Sequence, residues 1–241
     1  MKVVALIPAR YAASRFPGKL LQLLGNKTVI RYTYDATVAT ELFDQVIVVT
    51  DSDEIEKEII NAGGSCKRSE REYESGSDRI AEIAASLSVD LILNVQGDTP
   101  FIKKEPLARL IDAFGDPTVQ VASLMQKITD PKLIHEPHIV KVVTDLNNDA
   151  LYFSRSVIPF HRDLTISTPT FEHIGVYAFR KKALLDFTTW PVSHLEATEK
   201  LEQLRYLEHG IKIRMVETDY SSVAIDTPED LERAKVLLAN I

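Results

Sequence analysis

The chain opens with the apolar run Val3-Val4-Ala5-Leu6-Ile7 and continues at once into the loop Pro8-Ala9-Arg10-Tyr11-Ala12-Ala13-Ser14-Arg15-Phe16-Pro17-Gly18-Lys19. The run has the continuous apolar character of a strand buried on both faces of a parallel sheet. In open α/β sheets, ligands bind just beyond the carboxyl ends of the strands. Since this loop carries Arg10, Arg15 and Lys19, we expect an anion site there, with the cations clamping a polyphosphate.

Composition limits the class of protein. The chain has 241 residues, of which 45% are hydrophobic and 26% charged, as in ordinary globular proteins. Its net charge of −7 argues against sequence-independent binding of nucleic acid. The single cysteine rules out an internal disulfide. The opening apolar run is too short for a signal peptide, and no stretch is long enough to span a membrane, so we expect a cytoplasmic protein without membrane insertion.

Strand-like and helix-like segments alternate over the first half of the chain. The predicted strands are residues 3–7, 45–50 and 91–95, and the predicted helices are 28–40, 52–62, 77–87 and 104–114. Ser52 is the predicted N-cap of one helix, and Gly63-Gly64 is its stop signal. This alternation predicts a parallel sheet covered by helices on both faces.

The second half has shorter strand-like segments, some of which we expect to be antiparallel. They are residues 119–127, 140–144, 151–154, 175–179 and 212–216, and residues 155–172 are predicted to leave the sheet. A capping box at Ser193–Glu196 predicts a helix over about 194–209, and Thr227-Pro228 opens a last helix. We therefore predict an α/β protein with an open, mostly parallel Rossmann-like sheet. It forms a single domain, 1–241, with a smaller mixed α+β lobe inserted at about 130–210.

Two aspartates are candidate metal ligands. The run Asn94-Val95-Gln96-Gly97-Asp98 delivers Asp98 to the edge of the sheet that carries the basic loop. A second apolar run, 223–225, is a predicted strand that ends at Asp226, and Asp226 would share a site with Asp98 if this strand joins the same sheet. Mg²⁺ is typically held by one or two carboxylates together with substrate phosphates, so the pair is suited to Mg²⁺. The alternatives are that Asp98 only forms a turn and that Asp226 only decorates a helix N-terminus.

Two other nucleotide-binding patterns are excluded by the loop itself. A Walker A motif needs glycine where Ala13 stands and Ser or Thr where Leu20 stands. A dinucleotide fingerprint needs three glycines after the first strand, and the loop has one. A further polar turn, Ser75–Arg79, enters a predicted helix, where its groups could read a polar ligand edge; the alternative is an ordinary cap with Ser77 as N-cap.

The second half contributes a further set of polar candidates. His173 and Tyr177 are four apart on a predicted strand and share a face, while Glu202 and Gln203 lie mid-helix in the prediction. Together with Arg155, they could line a pocket for a hydroxylated, anionic small molecule, although each alone is more often structural. No His/Cys cluster of a metal-binding type is present in the sequence.

These motifs resemble, in order and almost end to end, the 3-deoxy-D-manno-octulosonate (Kdo) cytidylyltransferases. The resemblance rests on the opening loop and on motifs at 49–51, 75–79, 94–98, 140–143, 150–155, 173–177, 201–205 and 226–230. It implies a nucleotidyltransferase fold and the reaction of CTP with Kdo to give CMP-Kdo and pyrophosphate for lipopolysaccharide synthesis. It also implies Mg²⁺ dependence and a homodimer, with the inserted lobe at about 130–210 serving sugar binding and dimerisation.

The resemblance assigns roles to individual residues. Arg10, Arg15 and Lys19 would hold the triphosphate, and Asp98 and Asp226 would bind Mg²⁺; these five form the implied catalytic set. The implied nucleotide-binding set is Ala9, Arg10, Ser14, Lys19, Ser75, Arg79 and Gln96. The implied sugar-binding set is Arg155, His173, Tyr177, Glu202 and Gln203.

Two positions differ from the family pattern. Thr99 stands where the family usually has glutamate, and Leu20 stands where it usually has proline. Because position 99 follows the metal carboxylate, its change keeps an alternative open: the acceptor could be the 8-amino-8-deoxy analogue of Kdo or another acidic sugar. A non-catalytic nucleotide-binding protein is disfavoured, since both aspartates are present.

Overall fold

The structure is a computed structural model, and it describes residues 1–11, 16–71, 73, 75–163, 165–166, 168–220 and 223–239. Contacts between residues divide the chain into two compact units, Met1–Leu107 with Ser222–Ile241 and Ala108–Ser221. The residues predicted for an inserted lobe fall within the second unit, and the organisation as one domain with an insertion stays a prediction. In the parts of the chain that are described, no helix is long and apolar enough to cross a membrane.

The first unit contains a parallel sheet. Its strands are β1 (Val3–Ala9), β4 (Gln45–Thr50), β5 (Cys66–Arg68) and β6 (Leu91–Asn94), and β2 (Leu23–Leu24) and β3 (Lys27–Thr28) form a separate hairpin. The order is β6-β1-β4-β5, with every neighbouring pair parallel. All seven residues of β1 are buried. The prediction of a buried parallel strand at the start of the chain is confirmed.

Helices accompany these strands, and side-chain caps mark where several of them begin. They are α1 (Val29–Ala39), α2 (Asp53–Asn61), α3 (Gly76–Ser86), α4 (Lys104–Asp112), which ends in the second unit, and α8 (Pro228–Leu238). Thr28, Ser52 and Thr227 each accept a backbone N–H with their hydroxyl, as N-caps do. The predicted cap Ser77 is wrong, because Ser75 caps α3 and Ser77 lies inside the helix.

The second unit contains a mixed set of strands: β7 (Val121–Lys127), β8 (Lys141–Thr144), β9 (Ala150–Ser154), β10 (Phe171–Arg180) and β11 (Ile213–Glu217). β7 pairs with β11 in parallel and with β10 antiparallel, and β8 pairs antiparallel with both β10 and β9. The helices are α5 (Lys181–Phe187), α6 (His194–Glu199) and α7 (Leu204–Glu208). Short 3₁₀ turns cover Lys19–Leu21, Ala113–Gly115 and Pro131–His135.

Two predictions for this half are corrected. The helix predicted over 194–209 is two helices, because Lys200 adopts a left-handed conformation with φ 55° and ends α6. Glu202 and Gln203 therefore lie in the turn before α7 and not mid-helix. The strand predicted at 175–179 is the longer β10, whose first residues Phe171 and Glu172 pair with β7 and β8. The capping box at Ser193 and Glu196 is confirmed.

Candidate active site

The two described ends of the loop after β1, at Tyr11 and Gly18, are joined by a hydrogen bond. The backbone N–H of Gly18 donates to the carbonyl of Tyr11 at 3.0 Å, and Gly18 has a left-handed φ of 67°, which glycine adopts without steric cost. A 3₁₀ turn begins directly afterwards at Lys19. Lys19 therefore lies close to the end of β1 and lines the same pocket as Pro8 and Ala9. Two of the predicted triphosphate and nucleotide residues, Ser14 and Arg15, lie outside the described residues.

Asp98 occupies a tight turn after β6. The backbone N–H and the hydroxyl of Thr99 both donate to the carbonyl oxygen of Gln96, at 3.2 and 2.6 Å. A Cβ on Gly97 would lie 3.0 Å from the carbonyl oxygen of Pro8, so a side chain here would require the turn or the end of β1 to shift by a few tenths of an ångström. Thr99 is buried and its hydroxyl serves the turn. Its side chain therefore brings no charge to the site.

Asp226 lies beside Asp98 as predicted, but it does not follow a strand. Residues 223–225 form no strand, and the segment is held instead by the backbone N–H of Ile225, which donates to the carbonyl of Asp98 at 3.0 Å. On the other side, Thr227 and Asp230 form a capping box that fixes the start of α8. Backbone contacts on both sides thus hold Asp226 beside Asp98.

The ammonium group of Lys19 joins the two carboxylates. Its Nζ lies 2.5 Å from Oδ2 of Asp98 and 2.8 Å from Oδ1 of Asp226. Burial alone would lower the pKa of Lys19, but the two carboxylates outweigh it and raise the pKa above its usual value. The lysine is thus held in its charged form. Three groups that are far apart in the sequence share one electrostatic site.

These carboxylates also suit a divalent metal. Their oxygens already converge on a single cation, and carboxylate oxygen is the ligand type that Mg²⁺ prefers. In the described part of the chain, no group of three or more His, Cys, Asp or Glu side chains forms a complete metal cage. A site of two carboxylates is what Mg²⁺ uses when substrate phosphates supply further oxygens. The residues present therefore fit the predicted ion.

These groups line a pocket in the first unit, with an empty volume of about 860 Å³ including open solvent. Eight predicted residues line it: Ala9, Arg10, Lys19, Ser75, Arg79, Gln96, Asp98 and Asp226. The wall also includes Pro8, Phe16, Leu20, Tyr73, Gly76 and Gly97. The pocket thus has a cationic and carboxylate part and a part with neutral polar groups.

Arg79 is a buried cation in the wall of this pocket. Its Nη2 donates to Oδ2 of Asp51 at 2.7 Å, and its Nη1 donates to the hydroxyl of Ser69 at 2.6 Å. Only 5% of the Arg79 side chain is exposed. Because Asp51 compensates its charge, Arg79 presents less net positive charge to a ligand than a free guanidinium would. Such a group is better suited to a neutral base than to a phosphate.

A second cluster of predicted residues lies in the second unit. His173 and Tyr177 stand on β10 with ring centroids 5.3 Å apart, and Gln203 lies before α7. The amide nitrogen of Gln203 is 3.4 Å from Nδ1 of His173, and the hydroxyl of Ser123 is 2.9 Å from its Nε2. Burial, with a smaller contribution from Glu202, raises the pKa of Tyr177 well above its usual value.

The hydrogen bonds around His173 define its protonation. The amide nitrogen of Gln203 can only donate, so Nδ1 accepts, and Nε2 carries the proton and donates to Ser123. The hydroxyl of Ser123 in turn donates a hydrogen bond to the carbonyl of Val176 at 2.9 Å. Burial lowers the pKa of His173 to about 3, so the ring is neutral at physiological pH. His173 is thus arranged to hold Gln203 in place.

Comparison with known proteins places the chain in a family. The cytidylyltransferase family profile matches residues 4–213. A protein from Flavobacterium johnsoniae, named 3-deoxy-manno-octulosonate cytidylyltransferase, is 56% identical over the full length of both chains. One of the same name from Christiangramia forsetii is 54% identical over 99% of this chain and 97% of its own.

The chain belongs to the 3-deoxy-manno-octulosonate cytidylyltransferase family. A solved structure agrees with this assignment: a CMP:2-keto-3-deoxy-manno-octonic acid synthetase in complex with CTP. It is 36% identical and superposes with a TM-score of 0.95 over 100% of this chain and 99% of its own. The predicted α/β nucleotidyltransferase fold with a mostly parallel sheet is confirmed, and the chain is an enzyme of the nucleotidyltransferase class.

Not every residue that the family resemblance implies is free to reach a ligand. Arg155 donates from Nε to the carbonyl of Glu199 at 2.8 Å and from Nη1 to the carbonyl of Pro137 at 3.0 Å. Its backbone N–H also donates to the Glu199 carboxylate. These bonds occupy much of the guanidinium. The assignment of Arg155 to a sugar therefore stays a prediction, and a role in shaping its own unit is already visible.

Sequence reasoning gave no role to Asp51, Ser69 or Ser123, which hold Arg79 and His173 in place. A signal was available for Asp51, because it directly follows β4 and therefore stands at the same carboxyl edge of the parallel sheet as the loop after β1. No comparable signal pointed to Ser69 or Ser123. Ser69 contacts a residue 10 positions away in the sequence, and Ser123 contacts one 50 positions away.

Proposed function

We propose that this enzyme transfers CMP from CTP to the anomeric hydroxyl of Kdo and releases pyrophosphate, as a step of lipopolysaccharide synthesis. The observation that carries the proposal is the pocket in which Lys19, Asp98 and Asp226 meet, with Arg79 and Gln96 in its wall. The names of the relatives and the CTP bound in the similar solved structure support the choice of substrates.

The reaction is a nucleotidyl transfer. The anomeric oxygen forms a bond to the α-phosphorus, and the bond from that phosphorus to the oxygen bridging the α- and β-phosphates breaks. The electron pair of the broken bond leaves with pyrophosphate, and the hydroxyl proton is lost to solvent. Positioning and charge neutralisation provide most of the catalysis in such reactions. Among the residues that are described, the chain's own contribution is therefore the arrangement of cations and polar groups around the phosphates.

The basic loop is proposed to hold the triphosphate. Arg10 and Lys19 line the pocket and would neutralise charge on the phosphates, together with Arg15. Ala9 and Ser14 of the same loop would complete that part of the nucleotide site. Lys19 as a compact ammonium group would compensate the charge that develops on departing pyrophosphate.

The neutral part of the pocket is proposed to hold the cytidine. Arg79 has its charge compensated by Asp51 and its orientation fixed by Ser69. Ser75 begins α3 and lines the pocket, as does Gln96 in the turn after β6. These side chains offer donors and acceptors to the polar edge of a pyrimidine and the ribose hydroxyls without adding net charge.

Asp98 and Asp226 are proposed to hold Mg²⁺. When bound, the ion would lower the pKa of the attacking hydroxyl and reduce the negative charge on the α-phosphate. Asp98 is fixed by the turn that Thr99 closes, and Asp226 by its neighbours Ile225 and Thr227. This chain's part is thus to present two carboxylates whose backbone positions are set by hydrogen bonds and not by the ion.

The cluster of the second unit is proposed to bind the sugar acid. It consists of Arg155, His173, Tyr177, Glu202 and Gln203. His173 keeps Gln203 oriented, while the hydroxyl of Tyr177 stays protonated and can serve as a donor. A neutral histidine adds no charge, so any pairing with the sugar carboxylate would fall to Arg155 or to cations of the loop.

The acceptor is proposed to be Kdo, although the 8-amino-8-deoxy analogue or another acidic sugar is the alternative. The alternative arises from Thr99, whose buried hydroxyl is used by the turn and leaves a neutral group at that position. We also propose a homodimer in the cytoplasm. Light scattering of the purified protein tests the dimer, and a mass of about one chain would contradict it.

Replacement of the carboxylates tests the proposed site. Asp98→Asn and Asp226→Asn should each lower the rate of pyrophosphate release by about 100-fold or more at limiting Mg²⁺, because one oxygen ligand and its charge are lost. Asp112→Asn, an exposed aspartate on α4, is the control and should retain the rate. Full turnover by both site variants at limiting Mg²⁺ would contradict the proposal.

A further inference from the structure

Lys19 occupies the position between Asp98 and Asp226 that the proposed function gives to a divalent ion. Its Nζ contacts one oxygen of each carboxylate at 2.5 and 2.8 Å. The side chains of Lys19, Asp98 and Asp226 are 14%, 21% and 44% exposed, so the group is partly shielded from solvent. The two carboxylates therefore already share one cation that belongs to the chain itself.

The charges of this group explain why the lysine is held there. Two carboxylates side by side repel each other, and one ammonium reduces their combined charge from −2 to −1. Partial burial strengthens such attractions relative to water. A divalent ion from solution that uses these oxygens would have to displace the ammonium or accept its repulsion at close range. The pair is therefore a poorer metal site while Lys19 remains in contact with it.

We propose that Lys19 acts as a stand-in cation that keeps free divalent metal off Asp98 and Asp226 until the triphosphate arrives. This inference rests on the proposed function, because it needs a triphosphate that draws the ammonium away. Lys19 then contacts the phosphates, and the freed carboxylates accept the metal. The carboxylates therefore gain metal affinity only when the nucleotide is present, so that metal and CTP fill the site together.

The local structure allows this exchange. The backbone of Lys19 is fixed at the start of a 3₁₀ turn, where its N–H donates to the carbonyl of Phe16 at 3.2 Å and Gly18 supplies the left-handed cap. The side chain beyond that anchor has four rotatable bonds and one charged end. A change of side-chain rotamer is enough to exchange one set of anionic oxygens for another, while the loop keeps its position.

Binding of Mn²⁺ to the nucleotide-free protein, measured by water-proton relaxation enhancement, tests the inference without any turnover. Lys19→Met and Lys19→Gln should each bind Mn²⁺ at least about tenfold more tightly than the unaltered protein. Lys27→Met is the matched control, since it removes the same charge from the same unit. Lys27 contacts Asp35 at 2.9 Å and does not line the pocket. Its replacement should change the affinity by less than about twofold.

Two further measurements test where Mn²⁺ binds and whether the Lys19 ammonium moves from the carboxylates to the triphosphate. Adding Asp98→Asn to Lys19→Met should abolish the gain in Mn²⁺ affinity, and a gain that persists would mean that the ion binds elsewhere. With saturating CTP and no sugar, the order should reverse, so that the unaltered protein binds Mn²⁺ more tightly than Lys19→Met. Equal affinities in the nucleotide-free proteins, or a Lys19 variant that remains the tighter binder with CTP, would overturn the inference.

Failure of this inference is distinguishable from failure of the proposed function. If the unaltered enzyme makes CMP-Kdo and the nucleotide-free Lys19 variants bind Mn²⁺ no more tightly than it does, only the stand-in role of Lys19 is wrong. If the unaltered enzyme makes no CMP-Kdo, the proposed function is wrong whatever the Mn²⁺ affinities are.

Discussion

The contacts of Arg79 illustrate how one residue can set the character of part of a pocket. An unpaired arginine in the wall of a nucleotide site would attract phosphate, but Asp51 compensates this one and Ser69 fixes its second nitrogen. Asp51 is therefore a positioning residue in our account, since it acts through Arg79 and not on the substrate.

Asp51→Asn should raise the KM for CTP about tenfold while kcat changes by less than about threefold, because Arg79 loses its orientation but the reacting groups remain. Asp51→Glu should recover part of the loss. Asp53→Asn is the control, because Asp53 is exposed, pairs with Arg68 at 2.6 Å and does not line the pocket that holds Arg79. A fall in kcat with an unchanged KM would contradict this role.

Burial of His173 makes the stability of the folded protein depend on pH. Its pKa is lowered to about 3 by burial, whereas an unfolded histidine titrates near 6.5. Between these values the unfolded chain binds more protons than the folded chain, so this group makes stability fall as the pH drops below about 6.5. Above that pH it is neutral in both states and has no effect.

Urea unfolding at pH 8, 7 and 5 measures this contribution. His173→Gln should lose less stability between pH 7 and pH 5 than the unaltered protein, by about 1–2 kcal/mol. The difference between the two proteins should be constant from pH 7 to pH 8. Parallel curves of unfolding free energy down to pH 5 would show that His173 becomes protonated in the folded protein.

At the scale of elements, the site depends on how closely the turn after β6 approaches the end of β1. Gly97 lies at that approach, where an added Cβ would meet the Pro8 carbonyl at 3.0 Å and the Ile30 side chain at 3.1 Å. The backbone of Asp98 then receives the N–H of Ile225. A displacement at Gly97 would therefore be passed directly to both carboxylates of the proposed metal site.

Gly97→Ala should lower the free energy of unfolding by about 1–3 kcal/mol, because the crowded backbone must shift. It should also weaken pyrophosphate release through displacement of Asp98. Gly115→Ala is the matched control, since its Cβ would meet nothing within 4 Å, and it should change stability by less than about 1 kcal/mol. Equal stability of the two variants, measured by urea unfolding, would contradict the importance of this contact.

The elements predicted correctly are those with a local signal. Caps at Ser52 and Thr227 and continuous apolar runs at β1 and β4 mark their own boundaries. The errors occur where a single backbone conformation or a contact with a residue distant in the sequence determines the local structure. The left-handed Lys200 splits one predicted helix, and the bond from Ile225 to Asp98 holds a segment that has strand-like composition but does not form a strand.

For the whole molecule, the fold class and most of the nucleotide pocket could be predicted, because parallel strands bring their carboxyl ends to one edge. That rule places the basic loop and Asp98 together before any contact is known. It does not give the partners of the buried groups, such as Asp51 for Arg79 or Ser123 for His173. It also cannot identify the sugar, since the cluster around His173 depends on pairings between strands of the second unit.

The most direct measurement is pyrophosphate release from CTP and Mg²⁺ with a panel of acidic sugars. We predict the highest kcat/KM with Kdo, lower values with the 8-amino-8-deoxy analogue and sialic acids, and a loss of about 100-fold or more when UTP or ATP replaces CTP. A preference for the 8-amino sugar would identify the alternative acceptor and point to Thr99. Absence of sugar-dependent release with every acid in the panel would contradict the account.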